Sequence, residues 1–117
     1  MAVIAVVPSK QRKVFVSQSQ GKSRSFPDPS RAIAWLASQR NGSDLTVLGI
    51  MGGPGQEFFS RILDMGVPVF RLPFYQMKEV TGTGAKSSEE DRLAALELAW
   101  ARQPEAFYEL ASLDADV

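Results

Sequence analysis

The segment Ala2-Val3-Ile4-Ala5-Val6-Val7 constrains the fold more than any other stretch. It is a continuous apolar run rich in β-branched residues. Such a run reads as a strand buried in the middle of a sheet, whereas a strand with one face in water alternates polar and apolar residues. Its six apolar residues fall far short of the ~20 needed to span a bilayer. The basic residues follow the run, which is the reverse of a secretory leader. The 117-residue chain is the size of one domain. A single domain over 1–112 with a frayed tail at 113–117 is expected.

Around that strand the chain alternates strand and helix patterns. Lys13–Gln18 alternates and reads as a second strand, joined by the polar turn Pro8–Lys13 into a hairpin. Residues 19–26, with Gly21 as a turn signal, supply a third, edge strand. The segment 27–44 is a helix with stops at both ends. Asp28 or Ser30 caps it, Pro29 suits its first turn, and Asn41-Gly42 ends it. Asp44–Ile50 is a second buried strand. A helix from about Pro54 to Met65 follows and stops at Gly66. Val67–Leu72 is a strand, with Pro68 at its start or near an edge. Pro73–Val80 reads as a short helix and Thr81–Ser88 as a small, polar loop. Ser87 and Glu90 form a capping box for a long helix, with Leu93, Leu96, Ala99 and Trp100 on one face. Pro104 opens a last helix through Leu113. The order β-β-β-α-β-α-β-α-α predicts an α/β domain with a mixed sheet, an order shared by the ribonuclease H-like fold and several less common mixed-sheet folds.

Residue types narrow the chemistry. The chain has no cysteine and no histidine. Disulfides, thiolate metal sites and histidine-based catalysis are excluded, and a cytoplasmic home is expected. Net charge is zero, but its distribution is uneven. Residues 1–40 hold seven basic side chains against Asp28 alone, a net +6. Residues 81–117 hold eight acids against three bases, a net −5. The basic front offers a polyanion surface through Lys10, Arg12, Lys13, Lys22 and Arg24. Alternatively the two ends neutralise each other. Trp35, Trp100, Phe107 and Tyr108 are candidate anchors for a protein partner or homodimer, and the two tryptophans also suit a core.

The glycines of Gly49-Ile50-Met51-Gly52-Gly53-Pro54-Gly55 invite a phosphate-cradle reading. Gly55 is followed by Gln56-Glu57 rather than the Lys-Ser/Thr pair of a P-loop, and the G-x-G-x-x-G spacing is absent. No G-x-S-x-G elbow accompanies Gly52-Gly53, so an esterase loop is not supported. A tight strand-to-helix turn remains.

From Met51 onward the motifs resemble the N-terminal domain of the DEDD transposase and Piv invertase insertion-sequence family. Gly52-Gly53 stand for its paired glycines, and Met65-Gly66-Val67-Pro68-Val69 for A-G-x-P-V. Leu72-Pro73 and Gln76 follow in register. Ala85-Lys86 and Asp91–Ala95 stand for K-T-D-x-x-D-A, and Val7-Pro8-Ser9-Lys10 for D-V-S-K. The resemblance covers about residues 2–100 and implies a ribonuclease H-like, RuvC-type fold. It also implies four carboxylates holding two magnesium ions for phosphodiester transfer. Carried over, those positions are Val7, Gly49, Asp91 and Ala94, of which only Asp91 is an acid. No acid lies in 1–27 or 45–56 to replace the missing ones, and Glu89 and Glu90 suit a helix start. The family's second domain, with its serine motif, has no counterpart here, so the chain reads as an excised or stand-alone relative. The expectation is a non-catalytic, ribonuclease H-like binding or regulatory domain without metal or cofactor, with a role in nucleic-acid binding linked to mobile DNA. The alternatives are a protein-interaction module and a metal-dependent nuclease completed by a partner.

Overall fold

A computed structural model describes residues 2–9, 11–17, 22–39, 44–51, 55–84 and 86–110. The elements are β1 (Ala2–Pro8), β2 (Val14–Ser17), β3 (Ser23–Phe26), α1 (Pro29–Gln39), β4 (Leu45–Met51), α2 (Gln56–Asp64), β5 (Val69–Pro73), α3 (Phe74–Thr81), α4 (Glu89–Arg102), one 3-10 turn (Pro104–Ala106) and β6 (Tyr108–Glu109). Among these the sheet order is β3-β2-β1-β4-β5-β6. β1, β4 and β5 are parallel, while β2, β3 and β6 each pair antiparallel with their neighbours. This is a mixed sheet, as the order of elements predicts, with β6 added at one edge. The Gly21 turn, the Asn41-Gly42 helix stop, Gly52-Gly53, Pro54, Ala85 and the 113–117 tail lie outside the described residues.

The apolar run of β1 is buried on both faces because it sits mid-sheet. Ile4 and Val6 pack with Ala32 and Leu36 of α1 and Phe58, Phe59 and Ile62 of α2. Ala5 and Val7 pack on the opposite face with Met77 of α3 and Leu93, Leu96 and Ala99 of α4. The period-2 alternation of a strand divides one apolar run between two helical layers. At the end of β2 a side chain meets the Ala5 amide. The Ser17 hydroxyl accepts that N–H at 2.9 Å, so the buried donor stays satisfied.

The helix ends follow local chemistry. Asp28 Oδ1 accepts the Arg31 N–H at 2.9 Å and caps α1. The box that starts α4 sits one residue later than the sequence suggested. Ser88 Oγ accepts the Asp91 N–H at 3.1 Å, and Asp91 Oδ2 accepts the Ser88 N–H at 3.3 Å. Ser87 instead donates its hydroxyl to the Gly84 carbonyl at 2.6 Å. Ser88→Ala is therefore expected to lower stability by about 1 kcal/mol in denaturant unfolding, whereas Ser88→Asn, which keeps a capping acceptor, should lose little. An equal loss from both would contradict this placement of the cap.

The last helix expected from Pro104 is corrected. Residues 104–106 form one 3-10 turn, and Tyr108–Glu109 pair antiparallel with Phe70 and Arg71 of β5. Phe107 enters the core on the α3/α4 side and Leu110 the core on the α1/α2 side. Residues three apart share a helix face but lie on opposite faces of a strand. The two apolar cores on either side of the sheet edge therefore select extended chain here.

Candidate nucleic-acid interface and the family acid positions

The four positions that the resemblance assigns to metal-binding acids fall in three places. Val7, 3% exposed, lies in the core on the α3/α4 side. Gly49 faces the other way: a Cβ there would meet the Phe59 ring at 2.4 Å, on the α1/α2 side. The parallel register pairs Ala5 with Leu48, and its continuation puts Ile50, not Gly49, beside Val7. Ile50 packs on the same side as Val7. Asp91 and Ala94 are exposed on α4 and line a cavity of about 410 Å³ with Thr81, Thr83, Ser87 and Leu98. Val7 and Gly49 do not line that cavity. Asp91's carboxylate is engaged in the α4 cap. Glu89 and Glu90 occupy the first turn of the same helix, where the helix dipole favours acids. Among the described residues, no group of three or more Asp, Glu, His or Cys is placed to hold a metal ion.

The basic residues of the front are arranged along a strand pair. The turn after β1 is closed by the Ser9 N–H donating to the Lys13 carbonyl at 2.8 Å and the Arg12 N–H donating to the Ser9 carbonyl at 3.2 Å. It holds Arg12 at φ 69° and projects Arg12 and Lys13 from the end of the hairpin. Both are exposed, as are Lys22 and Arg24. Lys10 lies outside the described residues. β3 pairs Arg24 with Val16 and Ser23 with Ser17. At about 3.4 Å per residue, Arg24 stands ~10 Å and Lys22 ~17 Å beyond Lys13 along the strand direction. The cations thus lie along the β2–β3 edge, with Lys22 and Arg24 on the face of Val16 and Lys13 on the face of Phe15. Arg24 sits with its guanidinium carbon 4.9 Å from the centroid of the Phe26 ring, closing the edge of the core as it does so. None of Arg12, Lys13, Lys22 or Arg24 makes an ion pair among the described residues; the pair there is Arg31–Asp28, at 3.5 Å.

The aromatic anchors are mostly turned inward. Trp35 packs on Phe26 with ring centroids 5.6 Å apart, and Trp100 sits between Phe70 and Phe107, 5.2 Å from each. Phe107 is buried. Tyr108, 54% exposed on β6, is the one of the four that faces solvent.

The glycine-rich connection leads into α2 at Gly55, whose φ of 100° and contact with the Pro8 ring exclude a side chain. In the sequence Ser9 has a place in the D-V-S-K-like motif, but neither it nor Phe58 is assigned a site role. Ser9 sits beside the basic turn with its hydroxyl oxygen buried and without a hydrogen-bond partner among the described residues, and both residues line a small cavity there. The signal for Ser9 was its place between a buried strand and a basic run.

No helix among the described residues is long and apolar enough to cross a membrane. No protein-family model matches the sequence, and no curated protein matches it. Among solved structures, that of RuvC from Thermus thermophilus is similar to this chain, with 12% sequence identity and a TM-score of 0.48 over 94% of this chain and 100% of that one.

Proposed function

We propose that the chain is a non-catalytic ribonuclease H-like domain, a degenerate relative of the DEDD transposase N-terminal domain, that binds nucleic acid through its phosphates. The observation that carries this reading is the row of exposed cations along the β2–β3 edge, none in an ion pair among the described residues, in the part of the chain with net charge +6. Phosphate contacts of this kind need no carboxylates and no metal. The four family acid positions fall in three places and three of them are Val7, Gly49 and Ala94, which supports a reading without a metal ligand set there. A role in mobile DNA rests on the motif resemblance and makes the domain a binding or regulatory piece rather than a recombinase.

Band-shift titrations on duplex and single-stranded oligonucleotides at two salt concentrations test the reading. Four phosphate contacts predict a slope of log K against log salt of about −4 on duplex DNA. Lys22→Gln with Arg24→Gln should flatten that slope by about 2 units and weaken binding without regard to sequence. No binding to either nucleic acid at low salt would sink the proposal.

A further inference from the structure

A cavity of about 240 Å³ lies at the end of β1, lined by Pro8, Ser9, Arg12, Lys13, Gly55 and Phe58 among others. It is below the ~300 Å³ at which pockets for drug-sized ligands begin, and takes a small group rather than a whole nucleotide. We propose that it is a phosphate-binding subsite, engaging one phosphate group of a nucleic-acid strand; this rests on the nucleic-acid reading for the source of the phosphate, though not for the site itself.

Three observations converge on an anion. The first is charge: Arg12 and Lys13 both line the cavity, neither has an ion pair among the described residues, and no acid is among its described walls. The second is the Ser9 hydroxyl: its oxygen is buried without a hydrogen-bond partner among the described residues, and Ser9 lines the cavity. Leaving such a group unsatisfied is unfavourable, and a phosphate oxygen would give it an acceptor. The oxygen is closed to water in this conformation, so contact requires a small side-chain movement. The third is the start of α2. Gly55 precedes the helix without a side-chain cap, and Gly55 and Phe58 both face the cavity. Among the described residues no side chain accepts from the first-turn amides, in contrast with α1, which Asp28 caps. Glu57, in that same first turn, is exposed on the helix and is not part of the cavity wall. Gly55 is also the residue that lets the helix start approach β1, since a side chain there would collide with Pro8. Gly55 thus lets amide donors approach two cations without forming a P-loop.

Inorganic phosphate is the direct probe, followed by amide chemical-shift titration of the whole chain with chloride at matched ionic strength as the control. The expected result is saturable shifts centred on Ser9, Arg12, Gly55 and Phe58, with a dissociation constant on the order of 1 mM. They should be weakened about tenfold or more in Arg12→Gln with Lys13→Gln, a pair of exposed changes. Ser9→Ala should weaken them while leaving the fold intact. Shifts that chloride reproduces, or shifts spread over all basic residues alike, would overturn the subsite. Oligonucleotides with a 5′-phosphate or a 5′-hydroxyl then separate the sources. Tighter binding of the phosphorylated strand, lost in the double variant, assigns a strand terminus; equal binding of both, weakened equally in the variant, assigns a backbone phosphate. Nucleic-acid binding that survives the double variant unchanged overturns the subsite and leaves the wider proposal on Lys22 and Arg24. Phosphate binding in the cavity with no nucleic-acid binding does the reverse.

Discussion

Gly49→Ala is expected to lower the stability of the folded chain by about 1–3 kcal/mol, the usual cost of forcing an extra group into a packed core. The added Cβ would stand 2.4 Å from Cζ and 2.7 Å from Cε1 of Phe59. That ring is 2% exposed, edge-on to Phe58 at 5.8 Å, and has no solvent side to move toward. The backbone cannot yield either, because Gly49 pairs with Arg71 in the interior of the sheet. The measurement is the midpoint of denaturant unfolding at unchanged m-value. Phe59→Leu supplies the discriminating background. It removes the ring atoms nearest Gly49 and costs about 1–2 kcal/mol on its own. If the ring causes the penalty, Gly49→Ala should cost at least ~1 kcal/mol less in that background, a coupling typical of residues in contact. Equal cost in both backgrounds would show that Gly49 is required for another reason. Carrying the family glutamate to this position would be worse than alanine, since its carboxylate would enter the layer under α2.

That steric result marks where sequence was readable and where it was not. β1 was legible because an unbroken apolar run has one stable home, a strand covered on both sides. The start of α1 was legible through its Asp28 cap, and that of α4 to within one residue, since the box read at Ser87 and Glu90 is formed by Ser88 and Asp91. The side of the sheet to which each β4 residue points was not legible, because a shift of one residue reverses every side chain. Motif spacing placed Gly49 at the family acid position, but the register with β1 puts Ile50 beside Val7. The end of the chain was misread for a related reason. Phe107 and Leu110 have helical spacing, and only the presence of two cores on either side of β5 makes extended chain the better solution. The interface was half legible. The basic composition of the front could be counted, but the β2–β3 pairing spreads it along one edge of the sheet, and the closure of the turn after β1 brings Arg12 and Lys13 to the start of α2.

Val7→Asp, which returns one family acid to its place, is expected to cost about 3–5 kcal/mol at neutral pH, the range for a buried charge left without a partner. Val7 is 3% exposed and lies against Leu48, Leu93 and Leu96, none of which can hydrogen-bond a carboxylate. The loss should depend on pH in a defined direction. Burial in apolar surroundings raises the pKa of the introduced carboxyl above its unfolded value near 3.9. The folded state then holds its proton over a pH range in which the unfolded state has released it. Stability of the variant, relative to the parent, therefore falls as pH rises above about 4, until the folded carboxyl ionises. Magnesium should not restore it. Gly49 faces the other side of the sheet, and Asp91 lies in a separate cavity with its carboxylate committed to the α4 cap. A ligand stabilises only by binding the folded state better than the unfolded one, and one isolated carboxylate falls short of the several oxygen ligands magnesium prefers. Thermal unfolding of Val7→Asp at pH 4 and pH 8, with and without magnesium, checks both halves. A variant as stable as the parent at pH 8, or a midpoint raised by magnesium in the variant alone, would show that the acid positions come together in a way this packing does not provide. It would revive the metal-dependent reading in place of the binding one.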